Sequence, residues 1–303
     1  MTTRPTRLAI VNPHAGQGRC GLMAKEAIAK LRERGFEFDV WYTRHAGHAT
    51  EFTQQAYESG YRDFVAIGGD GTSHEIINGL GTALGAQGDA RVSLSFLPLG
   101  TGNSFLRDFG SSDWQGMIPK LVANEKRPCD VVKVRHDSGD IYFFNVFSFG
   151  YVADACLIAN TRYKKLGPAG YAVAALQRFP SLKPVKTVMM LDDAPRWEQP
   201  ALVVFVNNSQ YTGGHMHVSP YADPTDGFAD VTLLGPVSKP TFLRLFAKMF
   251  SGTHVHHPAV TTSRARRIAF EFADALDVMI DGEVVNVRPL ELEVLSAALD
   301  VIV

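Results

Sequence analysis

The residues of this 303-residue chain that could carry chemistry fall into three glycine-rich segments and one acidic pair. The glycine segments read Ile10-Val-Asn12-Pro13-His14-Ala15-Gly16-Gln17-Gly18, Val65-Ala-Ile-Gly68-Gly69-Asp70-Gly71-Thr72 and Phe96-Leu-Pro-Leu-Gly-Thr101-Gly-Asn103. Glycine permits positive φ and close backbone approach, so successive N–H groups can converge on a phosphate, helped by the positive end of a following helix. Any one such segment is as readily a tight turn. Three of them, each ending an apolar β-rich run, favour a common phosphate site. Asp70 sits inside the second nest, where a carboxylate repels phosphate unless Mg²⁺ mediates; the alternative is that it caps the helix beginning near Ser73. Thr72 and Ser73 could cap without a charge, which favours the metal or nucleotide role. The acidic pair lies in Met279-Ile-Asp281-Gly-Glu283-Val-Val285, a hairpin composition with Asp-Gly at its tip. On residue types alone a plain hairpin leads. Glu283, two residues beyond Asp281, would share its direction along an extended backbone.

These segments need strands and helices to hold them. Apolar β-rich runs at Arg7–Asn12, Glu37–Arg44, Asp63–Gly68 and Ser93–Leu99 recur every 26 to 30 residues. Helical patterns at 22–34, 49–59 and 73–84 fill the gaps, which predicts a parallel sheet with helices on its faces and ligands beyond the strands' carboxyl ends. A further helix is expected at 113–124. Beyond it the pattern becomes antiparallel: runs at 129–135, 141–149, 186–191, 201–207, 228–234, 267–272, 278–287 and 290–295, with helices only at 169–179 and 241–250, the second opened by Pro240. Neither a P-loop signature nor a G-x-S-x-G elbow is present, and the first strand is read as lacking a dinucleotide G-x-G-x-x-G after it.

Composition is that of an ordinary globular protein, 46% hydrophobic with 30 bases and 31 acids, and its length favours two domains. Cys20, Cys129 and Cys156 form no disulfide or zinc pattern, which fits a reducing compartment. The N-terminal apolar run Leu8–Val11 is too short for a signal-peptide core, and no stretch is long and apolar enough to span a bilayer. A cytoplasmic protein with peripheral membrane contact at most is the expectation. Near-neutral net charge argues against non-specific nucleic-acid binding, yet the charge is unevenly distributed. Residues 155–191 and 231–270 together hold twelve bases and no acid, and the remainder carries −13. Both segments interleave bases with apolar groups. In residues 241–250, Phe242, Leu245, Phe246 and Met249 share a helical stripe that would either pack on the β domain or lie on an anionic membrane. His254, His256 and His257 read as a solvated loop, His215 and His217 receive no role, and Trp41, Trp114 and Trp197 are core or interface residues.

Asn12-Pro-x-x-Gly16, Gly68-Gly-Asp-Gly-Thr72 with Glu75 and Asn78-Gly79 beyond it, and Pro98-Leu-Gly-Thr-Gly-Asn103 resemble the catalytic domain of diacylglycerol kinases, sphingosine kinases and the bacterial lipid kinases related to them. Gly213-Gly214, Pro220-x-Ala222-x-x-x-Asp226-Gly227 and Asp281-Gly-Glu283 follow in that family's order, so the resemblance covers essentially the whole chain. Gly-Gly-Asp-Gly alone is shared with NAD kinases and phosphofructokinases; the full set is far more specific. The resemblance implies an α/β N-terminal domain with a parallel sheet of the NAD kinase/diacylglycerol kinase type, over 1–128. A mainly antiparallel β-sandwich domain that takes the lipid would cover 129–295, with 296–303 packing back on the first. ATP and lipid would meet in the cleft between them.

By the same resemblance Asn12, Pro13, His14, Ala15, Gly16, Thr43, Gly68, Gly69, Asp70, Gly71, Thr72, Ser73, His74 and Thr101 would contact ATP. Asp226 and the backbone near Asp223 and Phe228 would hold a Mg²⁺ more structural than catalytic. Glu283 would accept the proton of the attacking hydroxyl, as phosphoryl transfer requires, with Asp281 as its orienter or a metal ligand. Three departures stand out: Ala15 where Ser is common, Ser73-His74 where an apolar residue and Asn are usual, and Ser104 where many bacterial members carry Asp, which removes a carboxylate from the expected metal network. The activity implied is an ATP- and Mg²⁺-dependent kinase of a lipid hydroxyl, diacylglycerol first, with phosphatidylglycerol, a sphingoid base or an isoprenoid alcohol also open. An NAD-kinase-like enzyme with a soluble acceptor and a non-catalytic nucleotide-binding module are the rivals. Homodimer formation through an exposed strand of the β domain is allowed but not demanded.

Overall fold

The computed structural model describes residues 7–88, 91–110, 113–163 and 168–303. The first six residues, and Lys164 and Lys165 of the first basic segment, lie outside the described residues. The chain divides into two compact units, Met1–Val131 with Leu295–Val303, and Val132–Val294.

Unit 1 is built on β1 (Arg7–Val11), β2 (Asp39–Tyr42), β3 (Asp63–Gly68) and β4 (Ser93–Pro98). They run parallel in the order β2-β1-β3-β4, and Asp300–Ile302, near the end of the chain, adds a parallel strand beside Ser93–Ser95. β3 and β4 are almost wholly buried on both faces, as a parallel sheet covered by helices requires. The crossovers are α1 (Arg19–Glu33), α2 (His48–Glu58) and α3 (Asp70–Leu80), and α4 (Trp114–Ala123) follows β4. α1 buries Cys20, Ala24, Ala27, Ile28 and Leu31, one helical face, and ends where the Gly35 and Phe36 N–H groups return to the carbonyls of Arg32 and Leu31. Asp113 caps α4 by accepting the Gly116 N–H at 2.8 Å.

α3 departs from expectation. It starts at Asp70 rather than near Ser73, its N-cap is Gly69, and no side chain caps it. Thr72 and Ser73 are buried inside its first turns, so neither they nor Asp70 plays the capping role weighed from the sequence.

β5 (Lys126–His136) carries the chain into unit 2, whose other strands are β6 (Gly139–Phe143), β7 (Val146–Gly150), β8 (Val185–Leu191), β9 (Trp197–Ala201), β10 (Val203–Asn207), the short hairpin β11 (Tyr211–Thr212) and β12 (Met216–His217), β13 (Ala229–Leu234), β14 (Val260–Ala265), β15 (Arg267–Phe270), β16 (Leu276–Ile280), β17 (Glu283–Val287) and β18 (Pro289–Ile302). One sheet is antiparallel in the order β14-β13-β10-β7-β16-β17. Against it stand the antiparallel pairs β5–β6, β8–β9, β8–β15 and β15–β18. Val132, Phe143, Ile268 and Leu292 from these strands share a core with Phe147, Val204, Val231 and Ile280 of the first sheet, which makes unit 2 a β-sandwich. The Phe270 ring centroid lies 5.9 Å from that of Phe147 and 5.8 Å from that of Phe149, aromatic pairs worth about 0.5–1.5 kcal/mol each beyond burial. The outer face of the first sheet is covered by α5 (Tyr151–Arg162), α6 (Pro168–Arg178) and α7 (Lys239–Lys248).

Three local expectations are corrected. The run 141–149 is two strands, β6 and β7, that belong to opposite sheets, and 201–207 likewise divides at Leu202, whose N–H leaves for the Leu234 carbonyl at 2.8 Å. α5 was not expected: Val152, Cys156, Leu157 and Ile158 encircle its axis instead of forming one stripe, so no helical period is visible.

Candidate active site

In unit 1 the three glycine segments follow β1, β3 and β4 and are joined backbone to backbone. Gly16, Gln17 and Gly18 are consecutive left-handed residues, φ +61°, +60° and +89°, a tight turn in which the Gly18 N–H donates to His14 O at 3.2 Å. A Cβ on Gly16 would stand 2.9 Å from the Leu99 carbonyl oxygen, and one on Gly100 would stand 2.5 Å from the Gly69 Cα. The Leu99 and Gly100 N–H groups donate to the Gly68 carbonyl at 2.9 and 2.7 Å, and the Asp70 N–H donates to the Gly102 carbonyl at 3.1 Å. Arg19 clamps the first segment to the third through Gly100 O at 3.0 Å. This surface is made of peptide groups where side chains would intrude, which fits a polyphosphate.

The residues assigned to ATP are distributed over this surface. Asn12 holds its own loop, its Oδ1 accepting the His14 N–H at 3.1 Å. Pro13 and Ala15 are half-buried, and Ala15 donates its N–H to Asn12 O at 3.1 Å. Thr43 is buried at the end of β2 and donates its N–H to Val11 O at 2.8 Å, beside the first loop. The Asp70 Oδ2 accepts the Ser104 N–H at 3.1 Å, so Ser104 closes the third segment onto that carboxylate through its backbone. Gly71 is exposed, and Thr72 Oγ1 is buried with no hydrogen-bond partner among the described residues. Ser73 is buried. His74 is half-buried, its carbonyl accepting Asn78 Nδ2 at 2.8 Å, and Thr101 is exposed. Glu75, one turn into α3, bonds the Gly47 and Ala49 N–H groups at 2.9 and 3.0 Å and so fixes the N-terminus of α2 just beyond Thr43.

One sequence expectation is corrected, the absence of a G-x-G-x-x-G after β1, and one cluster was missed. Gly16, Gly18 and Gly21 have G-x-G-x-x-G spacing at the β1–α1 turn, the third packed 3.1 Å from Pro13 O by its absent Cβ. The acid at the end of β2 that completes a dinucleotide site is absent, that position being Thr43. Ligand atoms of His45, His48 and Glu51 lie within 4.8 Å of one another. Yet the His45 and His48 rings stack at 4.4 Å and 9°, and His48 Nδ1 accepts the Arg44 N–H at 3.1 Å, so their in-plane lone pairs do not converge on one ion.

In unit 2 the acid turn is built from side chains. Ile280 pairs with Glu283 across Asp281 and Gly282, both at positive φ, +48° and +93°, the two-residue hairpin that Asp-Gly favours. The Asp281 carboxylate is buried and accepts the N–H groups of Val146 at 2.9 Å, Asn145 at 3.2 Å and Phe144 at 3.4 Å. These amides lie where the chain leaves one sheet for the other and would otherwise lose ladder partners. From α5, Asn160 Nδ2 donates to Gly282 O at 2.8 Å and Cys156 Sγ does so at 3.3 Å. Glu283 is exposed. The common direction expected for the two acids is therefore corrected: the left-handed turn between them breaks the period of two, burying Asp281 and leaving Glu283 in solvent.

The Asp223, Asp226 and Phe228 turn is already charge-compensated. Asp226 Oδ2 pairs with Arg264, its Oδ1 accepts the Phe228 N–H at 3.0 Å, and Asp223 Oδ1 accepts both the N–H and the hydroxyl of Thr225, at 3.0 and 2.7 Å. Neighbouring Asp230 is pushed up to about 6 by burial and by the Asp223 charge, with Arg264 Nε 3.6 Å away. The Asp226 carboxylate is thus engaged by a guanidinium, and no step is routed through a Mg²⁺ there. Among the histidines, His254 is a buried packing residue rather than part of a solvated loop; its Nε2 lies 3.0 Å from Val218 O, and burial lowers its pKa.

Residues 6–134 match the family model described as the diacylglycerol kinase catalytic domain, and residues 145–303 match that described as the YegS C-terminal NAD kinase beta sandwich-like domain. A Pseudomonas aeruginosa protein named "Probable lipid kinase YegS-like" is 31% identical over 278 residues, 91% of this chain and 88% of that protein. A diacylglycerol kinase of Mycobacterium tuberculosis is 28% identical over 297 residues, 97% of this chain and 94% of that one. The fold is shared with the crystal structure of a diacylglycerol kinase from Bacillus anthracis, TM-score 0.71 at 21% identity over 100% of this chain and 98% of that chain. The α/β domain and β-sandwich expected from the sequence are both borne out.

Proposed function

Because the chain belongs to the lipid kinase family that joins a diacylglycerol kinase catalytic domain to a YegS-type C-terminal domain, we propose that it transfers the γ-phosphoryl group of ATP to the hydroxyl of a lipid, diacylglycerol before other lipid alcohols, giving phosphatidic acid. The observation that carries the reading is the glycine surface of unit 1, where three backbone segments meet around one carboxylate and a Cβ on Gly16, Gly69 or Gly100 would intrude. The glycine turn at Gly16–Gly18 would let phosphate oxygens approach the backbone, Thr72 Oγ1 would give one of them a hydroxyl partner, and Asp70 would hold the Mg²⁺ that accompanies the nucleotide. When bound, that ion neutralises charge building on the transferred group.

Glu283 takes the proton of the acceptor hydroxyl. The hydroxyl oxygen forms the new P–O bond, the bond from the γ-phosphorus to the bridging oxygen breaks, and ADP leaves with the electron pair. Asp281 and Asn160 touch no reacting atom in this scheme; they hold the turn that presents Glu283. The acceptor must reside in a membrane, and among the described residues no helix is long and apolar enough to cross one, so the protein would work from the bilayer surface.

The test is incubation with γ-labelled ATP, Mg²⁺ and a mixed lipid extract, followed by chromatography. Label in phosphatidic acid is expected. Label in a different lipid would correct the acceptor, label only in a soluble product would point to an NAD-kinase-like reaction, and ATP binding without transfer would make the chain a nucleotide-binding module.

A further inference from the structure

α7 and the turn that follows it carry two apolar stripes, one buried and one exposed, which adjoin along one edge where the Phe250 ring centroid lies 6.0 Å from that of Phe246. The stripe visible in the sequence turns inward: Phe242 and Leu245 are buried, and Phe246 and Met249 pack on the cluster that includes Val203, Phe205 and Met279. A second stripe of Pro240, Leu243, Ala247 and Phe250, spaced three or four residues apart, is exposed throughout. Leu243 is 41% and Phe250 53% exposed. Lys239, Arg244 and Lys248 flank it, all exposed. Arg244 and Lys248 enter no ion pair among the described residues, and no acid occurs anywhere from Val231 to Phe270.

A helix that has already buried one apolar face in its own domain normally shows water a polar one. Here the second face is apolar with a basic border and no acid, the make-up of a helix lying in a lipid interface. We propose that this exposed face of α7 docks on an anionic lipid surface: Leu243 and Phe250 enter the headgroup boundary while Arg244 and Lys248 meet lipid phosphates, the Lys239 Nζ donating to Pro180 O at 3.1 Å. A second copy of the chain is a poorer occupant, since two such faces would oppose like charges. The inference rests on the lipid kinase reading, which requires the enzyme to reach an acceptor held in a bilayer.

The test is co-sedimentation with vesicles of phosphatidylcholine plus phosphatidylglycerol against vesicles of phosphatidylcholine alone. The unaltered protein binds the anionic vesicles, less as salt rises. Arg244→Gln with Lys248→Gln weakens that binding by roughly thirtyfold, about fivefold per base. Leu243→Ser with Phe250→Ser weakens it by at least about tenfold, and neither pair shifts the melting midpoint, since the residues are exposed. If both double variants bind as the parent does, the docking face is wrong, and transfer of label to detergent-dispersed diacylglycerol by the parent would leave the kinase reading standing. Binding that depends on these residues in a protein unable to label any lipid would sink the kinase reading instead. Concentration-dependent dimerisation that Leu243→Ser with Phe250→Ser abolishes would overturn the docking proposal in favour of a second copy.

Discussion

The glycine surface of unit 1 and the acid turn of unit 2 solve one problem, holding a few polar groups in place, with different parts of the chain. In unit 1 the groups belong to the backbone, positioned because Gly16, Gly69 and Gly100 let three loops touch without side chains. In unit 2 the exposed Glu283 is positioned by what lies behind it, a buried Asp281 gathering three amides and an Asn160 amide on the Gly282 carbonyl. A backbone-built site fails abruptly when a methyl group is added, because peptide groups on both sides cannot move apart. A site built from side chains fails by degrees, one hydrogen bond at a time, and removing one support leaves the others.

That contrast sets the order of expected effects. Gly100→Ala drives a methyl into Gly69 and should cost about 3 kcal/mol or more, with ATP affinity falling at least about tenfold by calorimetry. An alanine there that leaves both unchanged would break the account of unit 1. Asp281→Ala strands three buried amides and should cost about 2–3 kcal/mol in denaturant unfolding and reduce kcat, while ATP affinity holds. Asn160→Ala removes one support and should cost about 1 kcal/mol, with kcat several-fold lower and the KM for ATP unchanged. Equal effects from these last two variants would show that the turn is not held in the graded way described. Cys20 gives the mildest probe. It is buried beneath the first loop and burial pushes its thiol up to about 11, so alkylation near pH 8 should be slow in the native protein. Gly100→Ala should accelerate it if the loops are as tightly joined as they look.

The same contrast explains what could be read from the residues. Gly68-Gly-Asp-Gly is legible because a backbone-built site needs a residue type that little else requires, and the strand spacing before it announced the parallel sheet. Asp281-Gly-Glu283 reads as an ordinary hairpin, because the amides that give Asp281 its role come from residues 144–146, more than 130 positions away. The division of 141–149 between two sheets was hidden for a related reason: its residues form one apolar run, interrupted only by Asn145 and Ser148, across the point where the chain changes sheets. α5 was invisible because apolar Leu157 lies on its exposed side while small Ala153, Ala155 and Ala159 are buried, so no apolar stripe marks its period. The outward stripe of α7 was masked by the stronger inward one, and only burial separates them. Arg264 on Asp226 could not be foreseen either, as pairing across β13 and β14 brings it there.

The central claim is that Glu283 accepts the acceptor's proton while the rest of its turn merely holds it. It is tested most directly by steady-state turnover of Glu283→Gln with ATP and dispersed diacylglycerol. The residue is exposed, so the melting midpoint and ATP affinity should match the parent while kcat falls by roughly 10²–10⁴. Near-normal turnover would contradict the claim and move the proton acceptor elsewhere.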